Sequence, residues 1–267
     1  MRLDDVRGFV FDVDGSLVHR DADFRSRPLP GAVRVLEAIR ASGRPLVLFT
    51  NGSHIGPERF AKGLREDGLP VEDHELLTPV CSALSYLARR FSGSSVMVFG
   101  SQAVRDRMAR AGVPLVDGDE AEVVFVAHID EVDLGAMERA ARAVSRGARL
   151  LTANYQRGFW GANGVVFSRG AMVTAAIAKV TGARPVVVGK PSRAAVREIS
   201  DRLGVPSREL AVIGDDLGMD IALGRLGGSR TILVRSGISG SVDLSGVPER
   251  QRPDAVVDGV EEVLGWL

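Results

Sequence analysis

Short apolar, β-branched runs alternate with helical patterns along almost the whole chain, and no other feature restricts its fold as much. Strands are expected at 8–13, 45–50, 95–99, 123–127, 150–153, 185–188, 210–213 and 231–234, with a last short one at 255–257. Between them, apolar residues recur near a 3.6 period: Val104, Met108 and Ala111; Leu134, Met137, Ala141 and Val144; Val196, Ile199 and Leu203. Ser101, Asp133 and Ser192 stand where an N-cap oxygen satisfies free amides. Gly112, Gly147 and Gly204 follow the last periodic residues, where a left-handed cap is easiest for glycine. Parallel strands need long crossovers, so strand and helix in alternation predict a parallel α/β sheet with helices on its faces.

Composition excludes several classes of function. With 45% hydrophobic and 25% charged residues in 267, the chain is globular and long enough for one large or two smaller α/β domains. Thirty-four basic residues balance thirty-four acidic ones, so no net field draws it to nucleic acid or an anionic membrane. No apolar run approaches the roughly 18 to 20 residues of a membrane helix. The acidic start MRLDDVRGFVFDVDG lacks the basic region and long apolar stretch of a signal peptide, and the single Cys81 permits no internal disulfide. These features lead to the expectation of a soluble, cytoplasmic protein whose partners are set by a site.

Four segments carry that site. In FVFDVDGS an apolar run leads into Asp12 and Asp14, which flank one residue. Side chains two apart on a strand point the same way, so both carboxylates are expected together at the strand's C-terminal edge, where open parallel sheets bind ligands. LVLFTNGS ends a second strand in Thr50, Asn51 and Gly52, a hydroxyl, an amide and exposed backbone N–H groups suited to phosphate oxygens. VVVGKPS delivers Lys190, one of only three lysines, between Gly189 and Pro191, where it can neutralise an anion. LAVIGDDLGMD runs a further strand into Asp215 and Asp216, with Asp220 on the first turn of the next helix.

Carboxylates about 5 Å apart repel by about 3 kcal/mol at an effective dielectric of about 20, so their convergence calls for a counter-charge. An all-oxygen donor set selects a hard divalent ion, and Mg²⁺ also accepts a phosphate oxygen as ligand. The acidic and phosphate-type segments fall only before about residue 55 and after about residue 189. A core of residues 1–77 plus 183–267 is therefore expected, with a second α/β domain inserted at 78–182.

In this order the four segments resemble the four signature motifs of the haloacid dehalogenase (HAD) superfamily of phosphatases, and the match spans the expected core. LPGA at 29–32, TNGS and GKP resemble its NagD-like, p-nitrophenyl phosphatase-like branch. The resemblance implies a Rossmann-like parallel-sheet core with an inserted α/β cap, and a Mg²⁺-dependent phosphatase acting on small phosphorylated metabolites through an aspartyl-phosphate. Asp12 would be the nucleophile and Asp14 the acid and base. Mg²⁺ would be held by the Asp12 carboxylate, the Asp14 carbonyl and Asp215. Thr50, Asn51, Gly52 and Lys190 would bind the transferring phosphoryl group, with Asp220 orienting Lys190 or a metal-bound water and Asp216 a supporting residue or a helix start.

Two departures stand out: Ser16 replaces a frequent Thr, and LTANYQRGF keeps Asn154 but not the rest of a TNPD-like run. Asn154, Arg157 and Trp160 are the cap residues expected to select substrate. Cap-mediated dimers in similar proteins leave a homodimer among the expectations. On the same fold a phosphotransferase, a haloacid dehalogenase or a non-catalytic phosphate-binding module are the rivals, although a dehalogenase needs neither a metal nor a second carboxylate. His19, His54 and His128 read as loop or structural residues and Cys81 as packing, since two carboxylates already supply acid–base chemistry.

Overall fold

The computed structural model describes residues 2–20, 25–161 and 164–267. The chain forms two compact units: 1–50, 57–77 and 191–267 make the first, and 51–56 with 78–190 the second.

The first unit is built on a six-stranded parallel sheet in the order Ala255–Val257, Arg230–Val234, Leu210–Gly214, Gly8–Phe11, Leu46–Phe49, Leu76–Leu77. Every residue of Gly8–Phe11 and Leu46–Phe49 is buried, as continuous apolar strands must be when helices cover both faces. Phe9, Phe11, Phe49, Leu36 and Leu64 fill the core, the last two from helices Ala32–Ala41 and Pro57–Glu66. The chain leaves Gly8–Phe11 for Leu46–Phe49 on one side and later returns to Leu210–Gly214 on the other. Gly8–Phe11 therefore sits at the switch point of the sheet, where crossovers diverge and leave a crevice at the C-terminal ends of the strands.

The second unit has a four-stranded parallel sheet in the order Val186–Val187, Arg149–Thr152, Val123–Val126, Val96–Phe99, and a separate antiparallel hairpin, Gly158–Gly161 with Gly164–Phe167. Met97, Phe99, Val124, Val126, Leu150 and Ile177 form its core. Val186 and Val187 pair with Leu151 and Thr152, so residues 183–190 belong to this unit and not, as the sequence suggested, to the first. No helix among the described residues is long and apolar enough to cross a membrane.

The anticipated caps are formed. Ser101, Asp133 and Ser192 accept from the amides of Val104, Ala136 and Ala195. Gly112, Gly147 and Gly204 have φ of 79°, 110° and 64°. The helix Leu134–Ser145 is rotated from its expected face: Ala140, Ala143 and Val144 are buried, whereas Leu134 is 78% exposed.

Candidate active site

Three adjacent strands of the first unit end in residues that the acidic and phosphate-type segments singled out. Asp12 follows Gly8–Phe11, and its amide continues the ladder by donating to the Ile213 carbonyl at 2.9 Å. Thr50, buried, follows Leu46–Phe49, and Asp215 follows Leu210–Gly214. Asp12, Asp215 and Asp220 each bring a carboxylate oxygen within 4.8 Å of the other two. Asp215 and Asp220 are buried and Asp12 is half-buried.

Local structure explains how Asp220 joins them. Residues Leu217–Ile221 form a widened π turn ahead of the helix Ala222–Gly227, where a regular first α turn was expected. The amides of Asp220 and Ile221 both donate to the Asp216 carbonyl, at 2.9 and 3.2 Å. Asp220 Oδ2 in turn accepts from the Asp216 amide at 3.1 Å. The Asp216 side chain points elsewhere and caps the turn by accepting from Gly218 N at 2.7 Å. A Cβ at Gly214 would overlap the Asp220 side chain, so this close approach requires glycine.

Uncharged neighbours supply several contacts to Asp215. Its Oδ2 accepts from the Ile238 amide at 2.7 Å, and its carbonyl accepts from Ser239 N at 3.0 Å. The Ser239 hydroxyl accepts from Leu217 N, and the Ser236 hydroxyl donates to the Gly15 carbonyl at 2.6 Å. Buried Ser16 places its hydroxyl 3.2 Å from Asp12 Oδ2 and 3.5 Å from Asp215 Oδ1, bridging the first and fourth acidic segments. Gly15, at φ 86°, turns the chain where a side chain would strike Asp215. None of Ser16, Ser236, Ile238 or Ser239 was assigned a role from sequence.

Asp14 is not part of the carboxylate cluster. It lies half-exposed, with Oδ1 accepting from Arg20 Nε, and Arg20 was likewise missed.

In the second unit Asn51 and Lys190 are locked together. Lys190 N donates to Asn51 Oδ1 at 2.8 Å and Asn51 Nδ2 donates to the Lys190 carbonyl at 2.9 Å, with the Lys190 side chain buried. A Cβ at Gly189 would meet Ala153 O and Asn51 Oδ1, which explains the glycine before the lysine. Of the specificity candidates, Asn154 Oδ1 accepts from the Ser168 hydroxyl at 3.1 Å and Arg157 is exposed. Trp160 lies on the strand Gly158–Gly161, with its side chain outside the described residues. His54 and His128 rings stack edge to face with centroids 5.8 Å apart, and Cys81 is buried in the helix Pro79–Arg90.

Three carboxylates with oxygens this close and no nitrogen or sulfur donor among them suit a hard divalent cation, so the residues present fit such an ion.

A family model described as haloacid dehalogenase-like hydrolase matches residues 9–114, and a second, HAD-hydrolase-like, matches residues 187–263. The ribonucleotide monophosphatase NagD of Escherichia coli K12 is 31% identical over 97% of this chain and 98% of its own. The sugar-phosphatase AraL of Bacillus subtilis is 26% identical, over 96% of this chain and 90% of its own. The solved p-nitrophenyl phosphatase from Archaeoglobus fulgidus superposes with a TM-score of 0.87 at 29% identity, covering 98% of this chain and 99% of that one. The chain belongs to the haloacid dehalogenase-like hydrolases and is a HAD-type phosphatase of the NagD and p-nitrophenyl phosphatase branch.

Proposed function

We propose that this phosphatase hydrolyses small phosphate monoesters in two displacements, with Asp12 as the covalent nucleophile and Asp14 as the proton-transfer group. The observation that carries the reading is the carboxylate cluster of Asp12, Asp215 and Asp220 at the C-terminal edge of the sheet's switch point. In the first displacement an Asp12 carboxylate oxygen bonds to phosphorus while the ester P–O bond breaks and Asp14 gives its proton to the departing oxygen. In the second, water attacks the phosphorus of the aspartyl-phosphate and gives a proton to Asp14. Inorganic phosphate leaves and Asp12 is restored. Splitting one difficult hydrolysis in this way lowers both barriers.

Mg²⁺ is the ion this reading assigns to the cluster; the Asp12 carboxylate, the Asp14 carbonyl and Asp215 would hold it, with Asp220 beside them. When bound it supplies Lewis-acid neutralisation of phosphoryl charge. Thr50, Asn51, Gly52 and Lys190 take the remaining phosphoryl oxygens, a role supported by the two hydrogen bonds between the Asn51 side chain and the Lys190 backbone, which fix the backbone from which the lysine projects. The inserted unit, 78–182 by the sequence and extended to 190 by strand pairing, selects the leaving group through Asn154, Arg157 and Trp160. Relatives named for ribonucleotides, sugar phosphates and p-nitrophenyl phosphate support a small phosphorylated metabolite as substrate.

Cleavage of p-nitrophenyl phosphate tests the mechanism. Turnover is expected to need Mg²⁺, to vanish in EDTA, and to fall on the order of 10³-fold or more in Asp12→Asn. Equal, metal-independent rates in wild type and variant would eliminate it.

A further inference from the structure

The geometry points to Arg20 as a positioning residue for Asp14, acting on the departure of the leaving group, and this rests on the proposed role of Asp14 in proton transfer.

Arg20 closes a strand, Val18–Arg20, whose course is fixed at both ends. At its start Asp14 and Val18 are bridged, and Gly15 N donates to the Val18 carbonyl at 2.8 Å. Along its length it pairs antiparallel with Ser26–Pro28, Arg20 opposite Ser26, and the Ser26 amide is tied to Asp67 Oδ2 at 2.7 Å. The guanidinium is pinned a third time. Its central carbon lies 5.1 Å from the ring centroid of buried Phe60 on the helix Pro57–Glu66, a cation–π contact that restrains the head group. From this anchored position Arg20 Nε donates to Asp14 Oδ1.

An exposed ion pair between two free side chains contributes little, because both must lose rotamer freedom to form it. Here one partner is already immobilised and is only 32% exposed, so the pair transfers that order to Asp14. The ion pair engages Oδ1. Oδ2 makes no hydrogen bond among the described residues and is the oxygen left to carry the proton. A general acid contributes only when its oxygen is held within hydrogen-bond reach of the departing atom. Loosening Asp14 should therefore matter most where the leaving oxygen most needs a proton.

Nitrophenolate departs as a stable anion near neutral pH, whereas an alkoxide does not. The value of kcat/KM for these two kinds of ester reports the steps through leaving-group departure, before the aspartyl-phosphate is hydrolysed. In Arg20→Leu, kcat/KM is expected to fall about 10- to 100-fold for a simple alkyl phosphate and no more than about threefold for p-nitrophenyl phosphate. Arg20→Lys, which keeps a cation on the same strand but not the stacked fork, should recover only part of the loss. Arg20→Gln is a second test that removes the guanidinium but keeps a polar side chain on the strand, and circular dichroism checks that each variant is folded.

Asp14→Asn, assayed on the same two esters, separates the inference from the reading beneath it. A strong preference for the better leaving group in Asp14→Asn, without one in the Arg20 variants, overturns the role of Arg20 alone. No such preference in Asp14→Asn overturns both. Equal loss on the two esters in Arg20→Leu and Arg20→Gln would assign Arg20 to binding or folding and likewise overturn the proposal.

Discussion

Asp215 is held in part by backbone amides, at its carboxylate and at its carbonyl. The Ile238 amide takes one of its oxygens, and Gly237 lies so close that a methyl there would fall on the carboxylate. Gly237 is not among the glycines with left-handed φ, so the requirement at this position is one of space and not of backbone conformation. Groups that orient a metal-binding carboxylate typically contribute 10- to 100-fold to metal affinity or activity. Gly237→Ala is therefore expected to raise the half-saturating Mg²⁺ concentration and lower kcat/KM on p-nitrophenyl phosphate by about tenfold or more, with an unchanged circular dichroism spectrum. Gly63→Ala is the control: nothing lies within 4 Å of its added methyl, and in a helix the change should stabilise by about 0.5–1 kcal/mol without altering kinetics. The same comparison shows what a sequence reveals at this scale. Asp12, Asp215 and Asp220 are recognisable because acids at the ends of apolar strands are chemically conspicuous. The segment 235–239 contributes amides, hydroxyls and the absence of a Cβ, none of which sets it apart from an ordinary turn. Arg20 carried a visible charge, but only the hairpin and Phe60 distinguish it from a solvated arginine.

Among the elements, long apolar strands and polar caps were readable, since each is fixed by neighbours in the chain. The hairpin Val18–Arg20 with Ser26–Pro28 was not, because His19, Arg20, Arg27 and Pro28 leave no alternating apolar pattern. In Leu134–Ser145 the alanines at 136, 140, 141 and 143 fit several faces almost equally, and packing against Val124, Val126 and Ile177 decided between them. One ion pair joins elements that no sequence pattern connects. Arg40, in the helix Ala32–Ala41, donates to both oxygens of Glu75, at 2.9 and 2.5 Å, and to the Pro70 carbonyl at 2.8 Å. Glu75 also accepts from the Glu72 amide, fixing the turn Asp73–Glu75 that leads into the edge strand Leu76–Leu77. The hydrogen bond to Glu75 holds the Arg40 proton more tightly than usual, so Arg40 stays charged throughout the pH range in which the fold persists. The Glu75 side chain is 8% exposed and that of Arg40 31%. Removal of Arg40 strands a buried carboxylate, whereas removal of the Glu75 charge leaves a guanidinium that water can reach. Arg40→Met should thus cost about 2–3 kcal/mol and Glu75→Gln about 1 kcal/mol, below the full range for a wholly buried pair. Urea unfolding of both variants checks this, and a larger loss in Glu75→Gln would contradict the asymmetry.

For the molecule as a whole, the insertion was legible because acidic and phosphate-type segments are confined to the two ends of the chain. Its far boundary was misplaced because Val186 and Val187 look like any short strand, and only their pairing with Leu151 and Thr152 assigns them to the four-stranded sheet. The charge balance of 34 against 34 likewise hides a local cluster of acids. Two unit charges 4.8 Å apart repel by about 3.5 kcal/mol at an effective dielectric of 20, and the Asp12, Asp215 and Asp220 oxygens lie within that distance of one another. The amides of Ile238 and Asp216 offset part of this repulsion, and a bound divalent ion would offset more. The fold should therefore be most strained without metal, with stability given up for a site, and calorimetry can detect it. At Mg²⁺ about 100-fold above its dissociation constant, linkage stabilises by about 2.7 kcal/mol, equivalent to a rise of about 5–10 °C in the melting transition. Asp12→Asn removes one charge from the cluster and should melt higher than wild type in EDTA, by about 2–4 °C for each kcal/mol of repulsion relieved, and lose most of the Mg²⁺ shift. If Asp12→Asn instead melts lower than wild type in EDTA and responds to Mg²⁺ as strongly, the carboxylates store no repulsion and Asp12 does not hold the ion.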